Sequence, residues 1–122
     1  MLLVGIPAAA RAEPIQQLRI YEVPSENEEI FHARFRDQAM PIMRRYGFDF
    51  VAAWRSRYED RTAFVYLLDW PGKATMQTAW DAFMADEEWV TIKRLTAAQH
   101  GVFVESIEDR TLRSTDYAPL TE

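Results

Sequence analysis

Alternating hydrophobic residues in the middle of the chain predict a β-hairpin. Residues 48–58 and 62–70 are dominated by aromatic and β-branched side chains, which favour strands. The polar residues 59–61 between them have the length of a hairpin loop. Alternation predicts one common face in each strand, formed by Phe48, Phe50, Ala52, Trp54 and Tyr58 in the first and by Phe64, Tyr66, Leu68 and Trp70 in the second. Because neither side of this hairpin is simply polar, we expect both sides to be covered.

The pattern on either side of the hairpin predicts one further strand and one helical region in each half. The predicted order is strand 16–23, helix 25–46, strands 48–58 and 62–70, helical pieces 73–85 and 86–100, and strand 102–112. Pro41 lies inside the first helix. Because proline lacks the backbone N–H that a helix requires, we expect an interruption near residues 37–40. Asp86 is expected to cap the last helical piece.

This order of elements is that of an α+β protein with a ferredoxin-like βαββαβ fold. Right-handed crossovers place both helical regions on one face of a four-stranded antiparallel sheet. We expect the other face to be bare and to carry Arg19, Tyr21, Tyr66 and Trp54. Since so much aromatic surface is unusual on a monomer, the pattern predicts a homodimer in which two sheets pack face to face as a dimeric α/β barrel. A space between the two sheets is the natural pocket of such a dimer.

Composition narrows the classes of partner. The chain has 122 residues, and its hydrophobic content of 48% is sufficient for one folded domain. Its net charge of -5 disfavours a nucleic-acid partner, since binding to phosphates requires a basic surface. The absence of cysteine excludes disulfides, thiolate nucleophiles and zinc–sulfur sites. No stretch is long and apolar enough to predict a membrane span.

The two ends of the chain differ from the region between them. We predict a single domain over residues 16–113, a flexible tail or the remnant of a signal peptide at residues 1–15, and a tail at residues 114–122. Residues 10–12 fit the small-x-small cleavage pattern of a secretory signal, although no basic segment precedes them and the apolar run is short. Either Met1 lies within a longer signal peptide or the segment is a disordered tail. The first alternative implies a periplasmic or secreted protein, and the second a cytoplasmic one.

Several short motifs resemble the NIPSNAP family. They are Leu18-Arg19-Ile20-Tyr21, the helix end from Pro41 to Tyr46-Gly47, Trp54, the strand end at Trp70, and Asp86-Glu87-Glu88-Trp89. The resemblance implies membership of the dimeric α/β-barrel superfamily. It implies little chemistry, because NIPSNAP-like proteins mostly lack an assigned reaction. Related barrels include antibiotic-biosynthesis monooxygenases, haem-degrading enzymes and muconolactone isomerases, but a shared fold does not transfer a function.

Arg19 and Tyr21 are the first candidate ligand-binding residues. Both project from the same face of strand 16–23, where Arg19 can bind a carboxylate or phenolate with two hydrogen bonds and Tyr21 can donate its hydroxyl proton. Trp54 and Tyr66 can stack on a flat ligand. The structural alternative, which we favour for Arg19 and Tyr21, is that Arg19 pairs with an acidic residue across the dimer while the aromatic side chains fill the core or the interface.

The remaining candidates concern acid–base chemistry and metals. His100 is retained as a ligand-binding or acid–base candidate, although the dipole of its helix alone explains a cation at that C-terminus. His32 is expected to titrate in solvent at a helix edge. Asp86, Glu87 and Glu88 follow one another at a helix start and do not converge on one point, so no metal site is predicted. No catalytic residue is identified. No cofactor is expected, since the sequence has no glycine-rich phosphate loop.

These observations lead to three hypotheses about function. The first is a NIPSNAP-like homodimer that binds a small aromatic or acidic molecule between its sheets. The second is a cofactor-free monooxygenase or isomerase that uses the same cavity, and the third is a structural or protein-binding dimer without a ligand. An enzyme requires a histidine or carboxylate aimed into the cavity within hydrogen-bond reach of the ligand, whereas a structural dimer fills the space with side chains.

Overall fold

The computed structural model describes residues 13–118. Its strands are β1 (Ile15–Val23), β2 (Asp49–Tyr58), β3 (Arg61–Trp70) and β4 (Ser106–Leu112). Its α-helices are α1 (Glu28–Arg34), α2 (Met40–Arg45), α3 (Lys73–Ala85) and α4 (Glu87–His100), with a 3₁₀ turn at Ser25–Asn27 and a π-helical segment at Phe35–Ala39. The predicted elements are present, but β4 begins four residues later than expected. The predictions for residues 1–12 and 119–122 lie outside the described residues.

The four strands form one antiparallel sheet in the order β2-β3-β1-β4. With the βαββαβ order along the chain, this arrangement is the ferredoxin-like fold, so the predicted α+β class is confirmed. The hairpin is confirmed as well, and its tight turn contains Glu59 with a φ of 56°. None of the helices within residues 13–118 is long and apolar enough to cross a membrane.

The first helical region is interrupted, as the position of Pro41 predicts. α1 passes into the π-helical segment before α2 begins. Pro41 has no N–H to donate to the carbonyl of Asp37, four residues earlier, and the backbone hydrogen bonds are rearranged around that point. The interrupted helix still directs one apolar stripe toward the sheet, formed by Phe31, Phe35, Ala39, Ile42 and Met43, all of them buried.

The helices pack on a single face of the sheet, which we call the helix-covered face. Buried strand residues on this face include Gln17, Tyr21, Phe64, Tyr66 and Leu68. Arg19 lies on it too, because it pairs directly with Tyr66 between β1 and β3. The expectation that Arg19, Tyr21 and Tyr66 lie on the bare face is therefore wrong. Their rings pack against helix phenylalanines, and their polar groups bond to one another, which makes burial of these side chains favourable.

A β-bulge in β2 corrects the predicted position of Trp54. The pairing of β2 with β3 shifts between Phe50 and Ala52, so that one extra residue enters β2 there. Phe50 consequently pairs with Leu68 on the helix-covered face, whereas Trp54 pairs with Val65 on the opposite face. The prediction that Phe50 and Trp54 share a face is wrong, because simple alternation does not count the extra residue.

The opposite face, which we call the open face, has no helix over it in the described part of the chain. Its central side chains are aliphatic and half-buried, and Trp54 is 49% exposed beside them. The cross-strand pairs Leu18–Leu67 and Ile20–Val65 lie at its centre. A bare sheet face is thus present as predicted, but its side chains are mainly aliphatic, and neither Arg19 nor Tyr21 belongs to it.

Candidate functional site

One row of residues crosses all four strands on the helix-covered face. Ala53 of β2 pairs with Tyr66, Tyr66 pairs with Arg19, and Arg19 pairs with Asp109 of β4. Nη1 of Arg19 donates a hydrogen bond to Oδ2 of Asp109 at 2.9 Å, and Nη2 donates to the hydroxyl of Tyr21 at 3.0 Å. The Arg19 side chain is 12% exposed. Its charge is therefore paired within its own chain, whereas the structural alternative placed the acidic partner across a dimer.

The hydroxyls of Tyr21 and Tyr66 share a hydrogen bond of 2.6 Å. Burial raises the pKa of Tyr66 well above its ordinary value, and Tyr21 adds to this effect while Arg19 opposes it. Burial lowers the pKa of Arg19, but Tyr21 and Tyr66 raise it by more, so that it lies above its ordinary value. At neutral pH Tyr66 is therefore protonated and Arg19 is a cation. The group donates hydrogen bonds and stabilises negative charge.

Gln17 completes this group, and sequence reasoning missed it. Its Nε2 donates to both carboxylate oxygens of Asp109, at 3.1 and 3.0 Å. Its Oε1 accepts from the indole N–H groups of Trp70 and Trp80, at 2.9 and 2.8 Å. The available signal was the two-residue spacing of Gln17 and Arg19, which puts two polar side chains on one face of a strand. The Arg19 cluster is defined here as the set Gln17, Arg19, Tyr21, Tyr66 and Asp109.

One donor of the Arg19 cluster is unused. Nε of Arg19 is buried and has no hydrogen-bond partner among the described residues. The guanidinium stacks over the indole of Trp80, with its Cζ 4.2 Å from the ring centroid, which is a cation–π geometry. Because buried polar atoms are nearly always hydrogen-bonded, this N–H is a free donor for an acceptor that reaches it.

Arg34 of α1 is a second positively charged side chain on the helix side of the sheet. It donates to Oγ1 of Thr96 at 2.9 Å and lies over the rings of Trp89 and Phe103, with its Cζ 5.1 and 4.3 Å from their centroids. Burial lowers the pKa of Arg34 to about 10, against an opposing effect of Tyr21, so Arg34 is still a cation at neutral pH. Two arginines, each stacked on aromatic rings, therefore make this interior favourable for aromatic and negatively charged groups.

The structure brings Arg19, Tyr21 and Tyr66 together but separates them from Trp54 and His100. Trp54 projects from the open face. His100 is the exposed last residue of α4, with its ring 5.9 Å from that of Phe103. The five predicted residues therefore do not form one site.

Several clefts lined by described residues lie outside the Arg19 cluster. The one of about 560 Å³ lies at the strand ends beside Trp70 and Pro71. Another, of about 290 Å³, lies between the π-helical segment and β2, and it is lined by His32 among mainly apolar side chains. The expectation that His32 titrates in solvent is wrong, because burial lowers its pKa. It is half-buried, and its ring meets that of Phe64 edge to face, with centroids 5.3 Å apart.

The acidic run at the start of α4 has a structural role. Oδ1 of Asp86 accepts a hydrogen bond from the amide of Trp89 at 2.8 Å, and Oδ2 accepts from the hydroxyl of Tyr46 at 2.6 Å. The Tyr46 hydroxyl, followed by the Trp89 amide, lowers the pKa of Asp86. The predicted helix cap is therefore confirmed. Within residues 13–118 no group of three histidine, aspartate or glutamate side chains is arranged to hold a metal ion.

Comparison with known proteins identifies a family. The NIPSNAP family model matches residues 16–119 of this chain. No curated protein matches it. A solved NIPSNAP family protein from Agrobacterium tumefaciens superposes with a TM-score of 0.74 at 18% identity, over 89% of this chain and 100% of that chain. At this identity the superposition shows a common fold.

Two oxygenases share the fold at lower similarity. A monooxygenase of Streptomyces coelicolor, solved in complex with nanaomycin D, superposes with a TM-score of 0.56 at 12% identity, over 92% of this chain and 94% of that chain. SnoaB, a cofactor-independent oxygenase from Streptomyces nogalater, superposes with a TM-score of 0.53 at 15% identity, over 84% of this chain and 94% of that chain. These likenesses concern the arrangement of strands and helices, and function does not follow from them.

Proposed function

Since this chain belongs to the NIPSNAP family, we propose that it is a homodimer whose subunits each bind a small aromatic or acidic molecule. The dimer is suggested by the dimeric barrels that the family resemblance implies. The molecule lies on the helix-covered face of the sheet, against the Arg19 cluster. This position differs from the space between sheets that the sequence suggested, because Arg19 and Tyr21 face the helices.

The observation that carries the binding proposal is the unused Nε donor of Arg19. A guanidinium normally donates from all of its N–H groups when it is buried, and this one is surrounded by the Tyr21 hydroxyl and the Trp80 ring. An aromatic acid offers both an oxygen acceptor for Nε and a flat surface for the neighbouring rings. Arg34 adds a second positive charge on the same side of the sheet.

The test is a titration with benzoate, a small aromatic acid without a hydroxyl group, monitored by calorimetry. We expect Arg19→Ala to weaken binding by about ten-fold or more, which corresponds to the loss of a charge-assisted hydrogen bond. The matched control is Arg94→Ala, since Arg94 is an exposed arginine of α4, away from the open face. It should change the affinity by less than two-fold. Equal affinity in Arg19→Ala and the unmodified protein would remove Arg19 as an anchor.

The open face supports the dimer. It presents half-buried aliphatic side chains and the exposed Trp54, and it carries charges of both signs around them, including Glu108 and Arg110. A second copy rotated about a twofold axis brings apolar surface onto apolar surface and allows opposite charges to meet. The occupant we infer for this face is therefore a second copy of the chain.

Sedimentation analysis of two valine variants tests the dimer. Val65→Glu places a charge at the centre of the open face and should convert the dimer into a monomer. Val90→Glu, on the exposed surface of α4, introduces the same charge away from that face and should remain dimeric. A monomeric unmodified protein, or a dimer that survives Val65→Glu, would contradict the proposal.

The alternative is a cofactor-free monooxygenase or isomerase acting at the same cluster. Two oxygenases that share the fold are the reason to consider this candidate, but their likeness concerns the fold and does not transfer their reaction. The reaction needs a base, but the raised pKa of Tyr66 keeps its hydroxyl protonated, and Asp109 already accepts from Arg19 and Gln17. Binding is therefore the better supported role. Oxygen uptake with 1,4-dihydroxynaphthalene that depends on Arg19 would favour the enzyme instead.

A further inference from the structure

We propose that the cleft between the π-helical segment and β2, called here the His32 cleft, is a second binding site that takes a phenol of one or two fused rings. The cleft has a volume of about 290 Å³, and its lining includes His32, Phe35, Met40, Phe50, Ala53 and Phe64. This volume is at the lower end of the range for small-molecule pockets, which suits a single small aromatic group. The site goes beyond the proposed function and does not depend on it.

Two irregular backbone segments meet at the His32 cleft. Phe35 and Arg36 belong to the π-helical segment on one wall, and Val51 lies at the β-bulge of β2 on the other. Each irregularity replaces regular hydrogen bonding with a local change of direction that re-aims the neighbouring side chains. π-helical turns and β-bulges both occur preferentially next to binding and catalytic sites, and here they face each other across one opening.

The walls of the cleft favour an aromatic ring. Phe35 contacts Phe64 with ring centroids 4.7 Å apart and Phe50 with centroids 6.1 Å apart, in edge-to-face geometries. Met40 provides a flexible, polarisable side chain in the same lining. A flat ring inserted beside these side chains gains edge-to-face contacts of the same kind.

His32 is the polar group that a phenol would meet. Burial, followed by the guanidinium of Arg55, lowers the pKa of His32 below its ordinary value, while Glu28 and Glu29 act in the opposite direction and Arg36 adds a further lowering. The imidazole is therefore neutral at neutral pH, and its unprotonated ring nitrogen can accept a hydrogen bond from the hydroxyl of a phenol.

The charge in the cleft is already balanced, which favours a neutral phenol over a carboxylate. Arg36 donates from Nε and Nη2 to the two carboxylate oxygens of Asp37, at 2.7 and 2.8 Å. An acid would have to compete with Asp37 for this guanidinium. The cleft also lies beside Ala53, which is at one end of the row of residues that crosses the four strands, whereas Asp109 is at the other end. In that row the fully buried Tyr66 separates Ala53 from Arg19, and the ring of Phe64 stacks on that of Tyr66.

The experiment is a titration of the full chain with 2-naphthol. Binding is monitored by the fluorescence of 2-naphthol and by the NMR signals of the histidine imidazoles. We expect His32→Leu to weaken binding by about five-fold, the effect of losing one buried hydrogen bond. The matched control is His100→Leu, since the other histidine is exposed at the end of α4. It should bind 2-naphthol as the unmodified protein does. Naphthalene, which lacks the hydroxyl, should bind His32→Leu no more weakly than the unmodified protein.

A second variant tests the cleft without removing the histidine. Ala53→Phe fills the space from an exposed position on β2, and it should abolish binding of both 2-naphthol and naphthalene while far-ultraviolet circular dichroism stays unchanged. Arg19→Ala should leave 2-naphthol binding within two-fold. Unchanged binding in Ala53→Phe, or a loss that follows Arg19 and not His32, would overturn the site. Because benzoate binding is measured separately and benzoate has no hydroxyl group for His32, failure of this proposal leaves the Arg19 proposal to be decided by its own data.

Discussion

The two faces of the sheet are formed by neighbouring residues of the same strands, but they differ in the polarity of the side chains that they bury and expose. The helix-covered face buries Gln17, Arg19 and Tyr66, and it does so by bonding them to one another and to Asp109. The alternate residues of the same strands point to the open face, where Leu18 and other aliphatic side chains are only half-buried. The polar side chains are therefore inside and much of the aliphatic surface is outside.

The difference shows that side-chain polarity alone does not decide which face of a strand is buried. A buried polar group is tolerated when its hydrogen bonds are made inside the protein, and Gln17 makes all of them. An aliphatic side chain is tolerated at the surface when another surface covers it, which is the role we infer for the second copy. Variants at neighbouring positions of one strand therefore compare the two faces directly.

The largest expected effect is at the adjacent leucines of β3. Leu68 is fully buried on the helix-covered face, and Leu68→Ala should lower the free energy of unfolding by about 3 kcal/mol. Leu67 lies on the open face, and Leu67→Ala should cost about 1 kcal/mol in the subunit and act mainly by weakening the dimer. Urea unfolding at several protein concentrations separates the two effects. Equal losses of unfolding free energy in the two variants, independent of protein concentration, would contradict the difference between the two faces.

The next effect concerns adjacent acidic residues of β4. Asp109→Asn removes the carboxylate that pairs with the nearly buried Arg19, and it should lower the free energy of unfolding by about 2 kcal/mol. Among the described residues Glu108 pairs with the exposed Arg110 on the open face, so Glu108→Gln should change stability by about 0.5 kcal/mol or less. Chemical denaturation measures both variants. A larger cost for Glu108→Gln would show that the open face holds the more important charge.

A smaller effect is expected from single tyrosine hydroxyls. Tyr66→Phe removes a buried partner of Tyr21 and should cost about 1 kcal/mol of unfolding free energy. Tyr58 is 70% exposed on β2, and Tyr58→Phe should be neutral within about 0.5 kcal/mol. The same denaturation curves give both values. Neutrality of Tyr66→Phe would mean that the Tyr21 hydroxyl is satisfied without it.

The smallest effect is a pH dependence that comes from His32. Because burial holds the pKa of His32 below its ordinary value, the folded protein favours the neutral imidazole. This contribution to stability is complete above the unfolded pKa of about 6.5 and is lost as the pH falls through the folded pKa. NMR titration of the imidazole should give a pKa below 6.5 by a measurable margin. The decline in stability on acidification should be shallower in His32→Leu, and a parallel decline would assign the dependence to other groups.

The fold was predictable because its signals are local. The hairpin follows from the alternation in residues 48–58 and 62–70, and the interruption of the first helix follows from the missing N–H of Pro41. The later start of β4 was not predictable, because the residues after Gly101 continue an apolar pattern that is compatible with a strand. The dimer, the domain boundaries and the ligand-binding role of the candidate residues stay predictions.

The site was only partly predictable, because its residues meet through pairing between distant strands. Spacing placed Arg19 and Tyr21 on one face of β1, and the structure agrees. Spacing could not show which face the helices cover, and alternation in β2 failed at the bulge, which moved Trp54 to the other side. Asp109 reaches the Arg19 cluster through the register in which β4 pairs with β1, and His32 reaches its cleft through the packing of the helix on the sheet. Neither contact leaves a pattern in the local sequence.

The strand order also determines how copies of this chain avoid adding to one another edge to edge. β2 and β4 are the edges of the sheet, and an unprotected edge is a template for strand addition and fibre growth. β4 has only seven residues, three of them the consecutive charges Glu108, Asp109 and Arg110, and β2 is distorted by its bulge and carries Arg55 and Arg57. Unlimited growth along the edges is thereby disfavoured, whereas the twofold contact that we propose for the open face closes after two copies.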